Sequence, residues 1–172
     1  MFRTFRYFVL FVTTLLLQVY LFDNLQISVY LNPLIYIAFI VLLPIETPPV
    51  VVLLSGVMTG VLMDWTMGAA GVNTIATVLV AFLRHPVLRM LCSRDTVRDG
   101  GIPSSYQLGT GVFLRYLLIM VLLHHAVFFL MESLSWVPIL RTLLRVMVSS
   151  TVSILFIWLV ARLFTSKLPG RI

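Results

Sequence analysis

Apolar runs fill this chain almost from end to end, and the polar breaks between them are short. A bilayer core about 30 Å thick takes about 20 apolar residues as a helix. Runs that approach this length cover residues 5–22, 30–44, 50–65, 72–83, 111–131 and 143–164. Charged residues make up only 10% of the 172 positions, against about a quarter in a soluble domain. That is too little to coat a water-facing surface. The expectation is an all-α membrane protein, a single transmembrane domain over 1–172 built of about six helices. No stretch outside the runs is long enough to bury a core of its own.

The breaks refine this layout. Arg3 and Arg6 followed by an apolar run resemble a signal peptide, but residues 5–22 reach about 27 Å as a helix. Asp23, Asn24 and Leu25 follow, with no small-residue cleavage site, so the segment reads as an uncleaved first span. Asp23, Asn24, Gln26 and Ser28 then make a polar turn. The second span begins at Asn32-Pro33, where proline costs a helix least, and Pro44, Glu46, Pro48 and Pro49 break the chain after it. The fourth span, 72–83, extends to Leu91 if it passes Pro86 as an interfacial helix. Cys92 to Gln107 is the long polar loop, Glu132 to Arg141 a second one with Trp136 as interfacial anchor, and Thr165 to Ile172 a basic tail. Spans this short imply helices that are tilted, broken or shielded by neighbours.

Orientation follows from the arginines. With six spans, one side receives Arg3, Arg6, Arg84, Arg89, Arg94, Arg98, Arg115, Arg162, Lys167 and Arg171, and the other only Arg141 and Arg145. The sparse side also holds Asp23, Asp64 and Glu132. Cytoplasmic loops carry the excess of Lys and Arg, so both termini and the long loop are expected inside. Arg84, Arg89, Arg94, Arg98 and Arg115 are expected to set topology and reach lipid head groups. The net charge of +6 is thus explained by the membrane. No basic stripe interleaved with exposed aromatics points to nucleic acid. Cys92 is the single cysteine, so no intramolecular disulfide or Cys-based metal spacing exists.

The most constrained stretch is Gly56 to Leu83. Gly56, Gly60 and Asp64 recur every four residues and share one helical stripe. Such glycines let another backbone approach closely, and Gly68 and Gly71 allow a sharp elbow into the next span. Asp64 is either a carboxylate inside the bundle that binds an ion, a proton or a partner's cation, or a cap on the elbow and on the start of span four. His124, His125 and Glu132 form a second group. His125 and Glu132 lie two turns apart, about 10 Å along the axis, too far to share a metal. The two adjacent histidines point about 100° apart. They read as a polar patch near the outer face that bonds other helices or a partner. No zinc-protease, phosphate-loop or nucleophile-elbow motif is present, so no catalytic residue, metal or cofactor is expected.

A chain of this length with six spans, a Gly56/Gly60/Asp64 stripe ending span three and the elbow Gly71 resembles the MreD family, the bacterial rod shape-determining inner-membrane proteins. The loop DGGIPSSYQLG, Asp99 to Gly109, and the run from His124 to Glu132 look like its Bacteroidetes-like branch. The resemblance implies a non-enzymatic scaffold of the elongation machinery. It would work with an MreC-like protein, MreB, and RodA with its transpeptidase, in lateral peptidoglycan synthesis and cell-shape control. It also implies a layout similar to transporter substrate-binding subunits. On this reading the glycine stripe and any exposed polar patch dock a partner's helix, with His124 and Glu132 supplying polar contacts. The alternative is the substrate-binding subunit of a small-molecule, vitamin-type transporter, which needs a pocket open to the outside. An intramembrane enzyme needs Asp64, His124 and His125 to converge.

Overall fold

Pro48 is extended and Pro49 opens a helix at the one position where its missing N–H costs nothing. The computed structural model describes residues 2–24, 30–133 and 139–165. Gln26, Ser28, Trp136, Lys167 and Arg171 lie outside them, as does the tail beyond Thr165. Among the described residues every regular element is helical. They are α1 (Phe2–Leu16), α2 (Ala38–Val41), α3 (Pro49–Met67), α4 (Val72–Leu91), α5 (Arg94–Asp99), α6 (Ser105–Leu108), α7 (Thr110–Glu132) and α8 (Ile139–Thr165).

Five helices are long and apolar enough to cross a membrane: Phe5–Phe22, α3, α4, α7 and α8. They point to a multi-pass membrane protein. Expected spans one, three, five and six fall inside them. Span four runs the full length to Leu91, straight through Pro86. The first helix ends in a π-type stretch, Leu17–Phe22, closed by Asp23 N–H on the Gln18 carbonyl, 2.9 Å.

The second expected span is different, and here the expectation of a helix over 30–44 is corrected. Only Ala38–Val41 is helical, and 31–35 has no regular structure. Pro33 has no N–H to donate and drives Asn32 out of the helical region, and Pro44 bounds the other side. The ten residues between these prolines would reach only about 15 Å as a helix. Partly extended, they run from the level of Gln18 and His125 to that of Tyr116 and Arg84. Along α7 that is the nine-residue rise from Tyr116 to His125, about 13 Å, well short of a bilayer core of about 30 Å. Every residue from Pro33 to Leu43 is buried. Irregular backbone at membrane depth is tolerated only when protein surrounds it, and this segment is the centre of the bundle.

The helices alternate between two ends. Arg6 on α1 donates to the Phe164 carbonyl on α8, 2.7 Å, and Phe11 packs on Phe39 of α2 with centroids 4.9 Å apart. The loop after α4 returns to the same end, where Ile45 N–H donates to the Gly101 carbonyl, 2.8 Å. Ser93 and Ser104 cap the short α5 and α6 by accepting from Thr96 N–H and Gln107 N–H. At the opposite end stand Asp23, Asp64 and the pair Glu132–Arg145.

Candidate functional site: the polar lining of the broken segment

A chain segment without helical hydrogen bonds leaves its amides and carbonyls to be satisfied from elsewhere. Here side chains from four helices do so. Ser149 on α8 accepts from Asn32 N–H, 3.0 Å, and its hydroxyl donates to the Tyr30 carbonyl, 3.2 Å. His125 on α7 accepts at Nε2 from Leu34 N–H, 3.3 Å, and from the Ser153 hydroxyl, 3.1 Å. An amide only donates, so the proton of His125 sits on Nδ1, which donates to the Val121 carbonyl, 2.9 Å. Gln18 accepts from Ile35 N–H at Oε1, 2.6 Å, and donates through Nε2 to the Pro33 carbonyl, 3.2 Å, and to Asp23 Oδ1, 2.7 Å. The π-type stretch of the first helix turns that amide inward. Tyr116 donates to the Val41 carbonyl, 3.0 Å, and Arg84 Nη2 donates to the carbonyls of Leu43 and Pro44.

Between these two tiers lies a fully buried knot. The Tyr36 hydroxyl donates to Asn73 Oδ1, 2.8 Å, and meets His124 Nε2 at 2.9 Å. A phenol has one proton to give, so His124 donates from Nε2. Thr77 stands 3.4 Å from the same nitrogen and donates to the Asn73 carbonyl, 2.7 Å. The two neighbouring histidines therefore carry opposite tautomers, each set by its own partner.

Asp64 takes the capping role. Its Oδ1 accepts from Asn73 N–H, 2.9 Å, and its Oδ2 from Thr74 N–H, 3.0 Å, and from the Thr74 hydroxyl. A carboxylate on the first free amides of a helix also meets the positive end of its dipole. Gly68 and Gly71 take φ of 65° and 87° on either side of the elbow, a conformation that glycine adopts without steric cost. The elbow thus folds α4 back along α3. A Cβ on Gly60 would lie 2.5 Å from Thr74 Cα, and one on Gly56 would lie 2.9 Å from Ala81 Cβ.

Three expectations change. The glycine stripe is filled by α4 of the same chain and is closed to a partner helix. His124 and His125 are fully buried, so they bond interior groups and do not form an outer patch. Arg84 is fully buried as well; it caps carbonyls at the end of the broken segment, because Leu43 and Pro44 end it with acceptors no helix satisfies. Arg89, Arg94, Arg98 and Arg115 are exposed, as a role at head groups requires. Glu132 pairs with Arg145 at 2.8 Å, and that guanidinium lies 4.6 Å from the Phe129 ring.

Asp64 and His124 do not bond each other; Asn73 stands between them, its amide on the carboxylate and its side chain on Tyr36. Among the described residues no group of three His, Cys, Asp or Glu is placed to hold a metal ion. Outside the spans, burial raises the Asp23 carboxyl above its ordinary range, partly offset by its bond from Gln18. Burial also raises the Cys92 thiol. Gln18, Tyr36, Asn73, Thr77, Tyr116, Ser149 and Ser153 were not singled out from sequence. Their signal was present as lone polar residues within apolar runs, and as Ser149 and Ser153 one helical turn apart.

Compared with family models, with curated proteins and with solved structures, the chain gives no match.

Proposed function

We propose that this chain is an MreD-like scaffold of the bacterial elongation machinery in the inner membrane. It would bind an MreC-like protein together with MreB and RodA with its transpeptidase. The observation that carries this reading is the hairpin of α3 and α4. The residues that prompted the resemblance, Gly56, Gly60, Asp64 and Gly71, act together in it: two glycines admit α4, a third turns the chain, and the carboxylate caps the result.

The topology that goes with this reading is six crossings, five helical and one broken, with both termini in the cytoplasm. It is supported by the exposed Arg89, Arg94, Arg98 and Arg115 at one end and by Asp23, Asp64 and Glu132 at the other. With the stripe and the histidines used internally, partner contacts belong to outward surfaces such as Glu132, 41% exposed beside Arg145.

Depletion of the protein in its native rod-shaped host is expected to give rounded cells. The tagged protein is expected to retain an MreC-like partner on purification. Unchanged rods under full depletion would end the proposal. Unchanged rods with impaired vitamin uptake would replace it by the transporter-subunit reading.

A further inference from the structure

Arg84 carries a buried charge with no ion pair among the described residues. It is fully buried; its Nη2 donates to the carbonyls of Leu43 and Pro44, and the Tyr116 hydroxyl also lies within hydrogen-bonding reach of the guanidinium. Its Nε and Nη1 are buried and donate to nothing. Among the described residues no ion pair to it is seen; the one pair there is Arg145–Glu132. Asp23 takes Gln18, Asp64 takes Asn73 and Thr74, Glu132 takes Arg145, and Glu46 takes Gly101 N–H. Asp95 and Asp99 are exposed on α5. Arginine stays protonated, and a buried charge is retained only when it is paired.

The depth of this group says which anion can meet it. Tyr116 donates to Val41 O, two residues from the carbonyl that Arg84 holds, and the next residue along α7, Arg115, is exposed. Arg84 therefore lies level with a surface arginine at the basic end, where lipid phosphates sit. The Pro44 corner beside it is only half buried. A guanidinium with free donors suits a phosphate oxyanion.

We infer that Arg84 is an internal receptor for one phosphate oxyanion, admitted at the Pro44 corner and supplied by a membrane phospholipid. The inference stands apart from the cell-shape reading; it needs only the membrane.

The test uses the whole protein in neutral detergent, stripped of lipid, with thermal unfolding and native mass spectrometry as readouts. The probes are phosphatidylglycerol, diacylglycerol with the same acyl chains, and inorganic phosphate. Phosphatidylglycerol at a hundred times its dissociation constant should raise the wild-type Tm by roughly 5–10 °C and leave one retained lipid. Diacylglycerol should not. Arg84→Gln should lose the difference between the two lipids, while the triple variant Arg89→Gln, Arg94→Gln, Arg98→Gln should keep it. Inorganic phosphate matching the lipid would identify the free ion as the source. Equal stabilisation of the wild type by phosphatidylglycerol and diacylglycerol, with no response to phosphate, overturns the inference even if Arg84→Gln fails to fold. So does an undiminished lipid preference in a folded Arg84→Gln, and in either case the counter-charge would fall to a partner's carboxylate.

Discussion

A single missing side chain decides how closely two helices meet. At Gly60 the obstacle to a Cβ is the backbone of Thr74, at 2.5 Å, which cannot rotate away. At Gly56 the nearest atom is the Ala81 methyl carbon, at 2.9 Å. Gly68 has free space around it but a φ of 65°. Gly60→Ala should therefore cost the most, about 2–3 kcal/mol by overpacking, and Gly68→Ala about 1 kcal/mol from backbone strain. Gly56→Ala should fall between them. Unfolding of the three variants in detergent checks the order, and a Gly60→Ala protein as stable as wild type would contradict the close approach.

Asp23 offers a test by pH at the same scale. Burial holds its proton more tightly in the folded protein than at its ordinary 3.8. The folded state therefore binds more protons than the unfolded one, and this carboxyl's contribution to stability falls as pH rises from about 3.8 through the raised value. Asp23→Asn keeps an acceptor for Gln18 and removes the titration. In thermal unfolding it should gain on the wild type as pH rises from about 3.8 and level off once the raised value is passed, and a gap that is constant from the start would refute this.

At the scale of elements, most of the layout was legible. Spans three, five and six of the sequence reading lie within one to four residues of α3, α7 and α8, because long apolar runs between polar breaks have no other way to satisfy their backbone. The elbow was legible for the same kind of reason: Gly68 and Gly71 flank a turn that only positive φ permits. The broken segment between Pro33 and Pro44 was not. Its composition from Leu34 to Leu43 is apolar throughout, and composition alone does not separate a helix from a segment held by other helices' side chains. The information lay far away in sequence, in Gln18, Arg84, Tyr116, His125 and Ser149. The same distance hid the candidate site, since each of these residues is unremarkable until its partner is in place.

That segment predicts its own weak points. Gln18→Leu leaves Ile35 N–H and the Pro33 carbonyl without partners, and His125→Leu leaves Leu34 N–H. Each unsatisfied buried group costs about 1–3 kcal/mol, so both variants should unfold at lower denaturant than surface controls such as Leu143→Ala. The double variant should lose less than the sum, because both damage the same short stretch. Full additivity would mean the two side chains hold it independently.

At the scale of the whole molecule, the two ends of the bundle differ in charge, and this asymmetry gives the orientation a direct check. Arg94 and Arg98 are exposed on α5, in the long loop. Trypsin is expected to cut there in inverted membrane vesicles and to leave the loop intact in spheroplasts. Cutting from the outside would reverse the orientation in the proposed function.

The broken segment also has a consequence in time. A chain emerges from the ribosome from its N-terminus, at about 5–20 residues per second. When residues 30–44 are made, the side chains that will hold them are still to come: Arg84, Tyr116, His125, and last of all Ser149 on α8. For on the order of ten seconds, this stretch has only the first helix beside it, through Gln18 and Phe11. It therefore waits, as an apolar guest of the lipid or of the insertion machinery, until the closing helix arrives. A protein cut short before α8 would keep four helices of spanning length and have no settled place for its own centre.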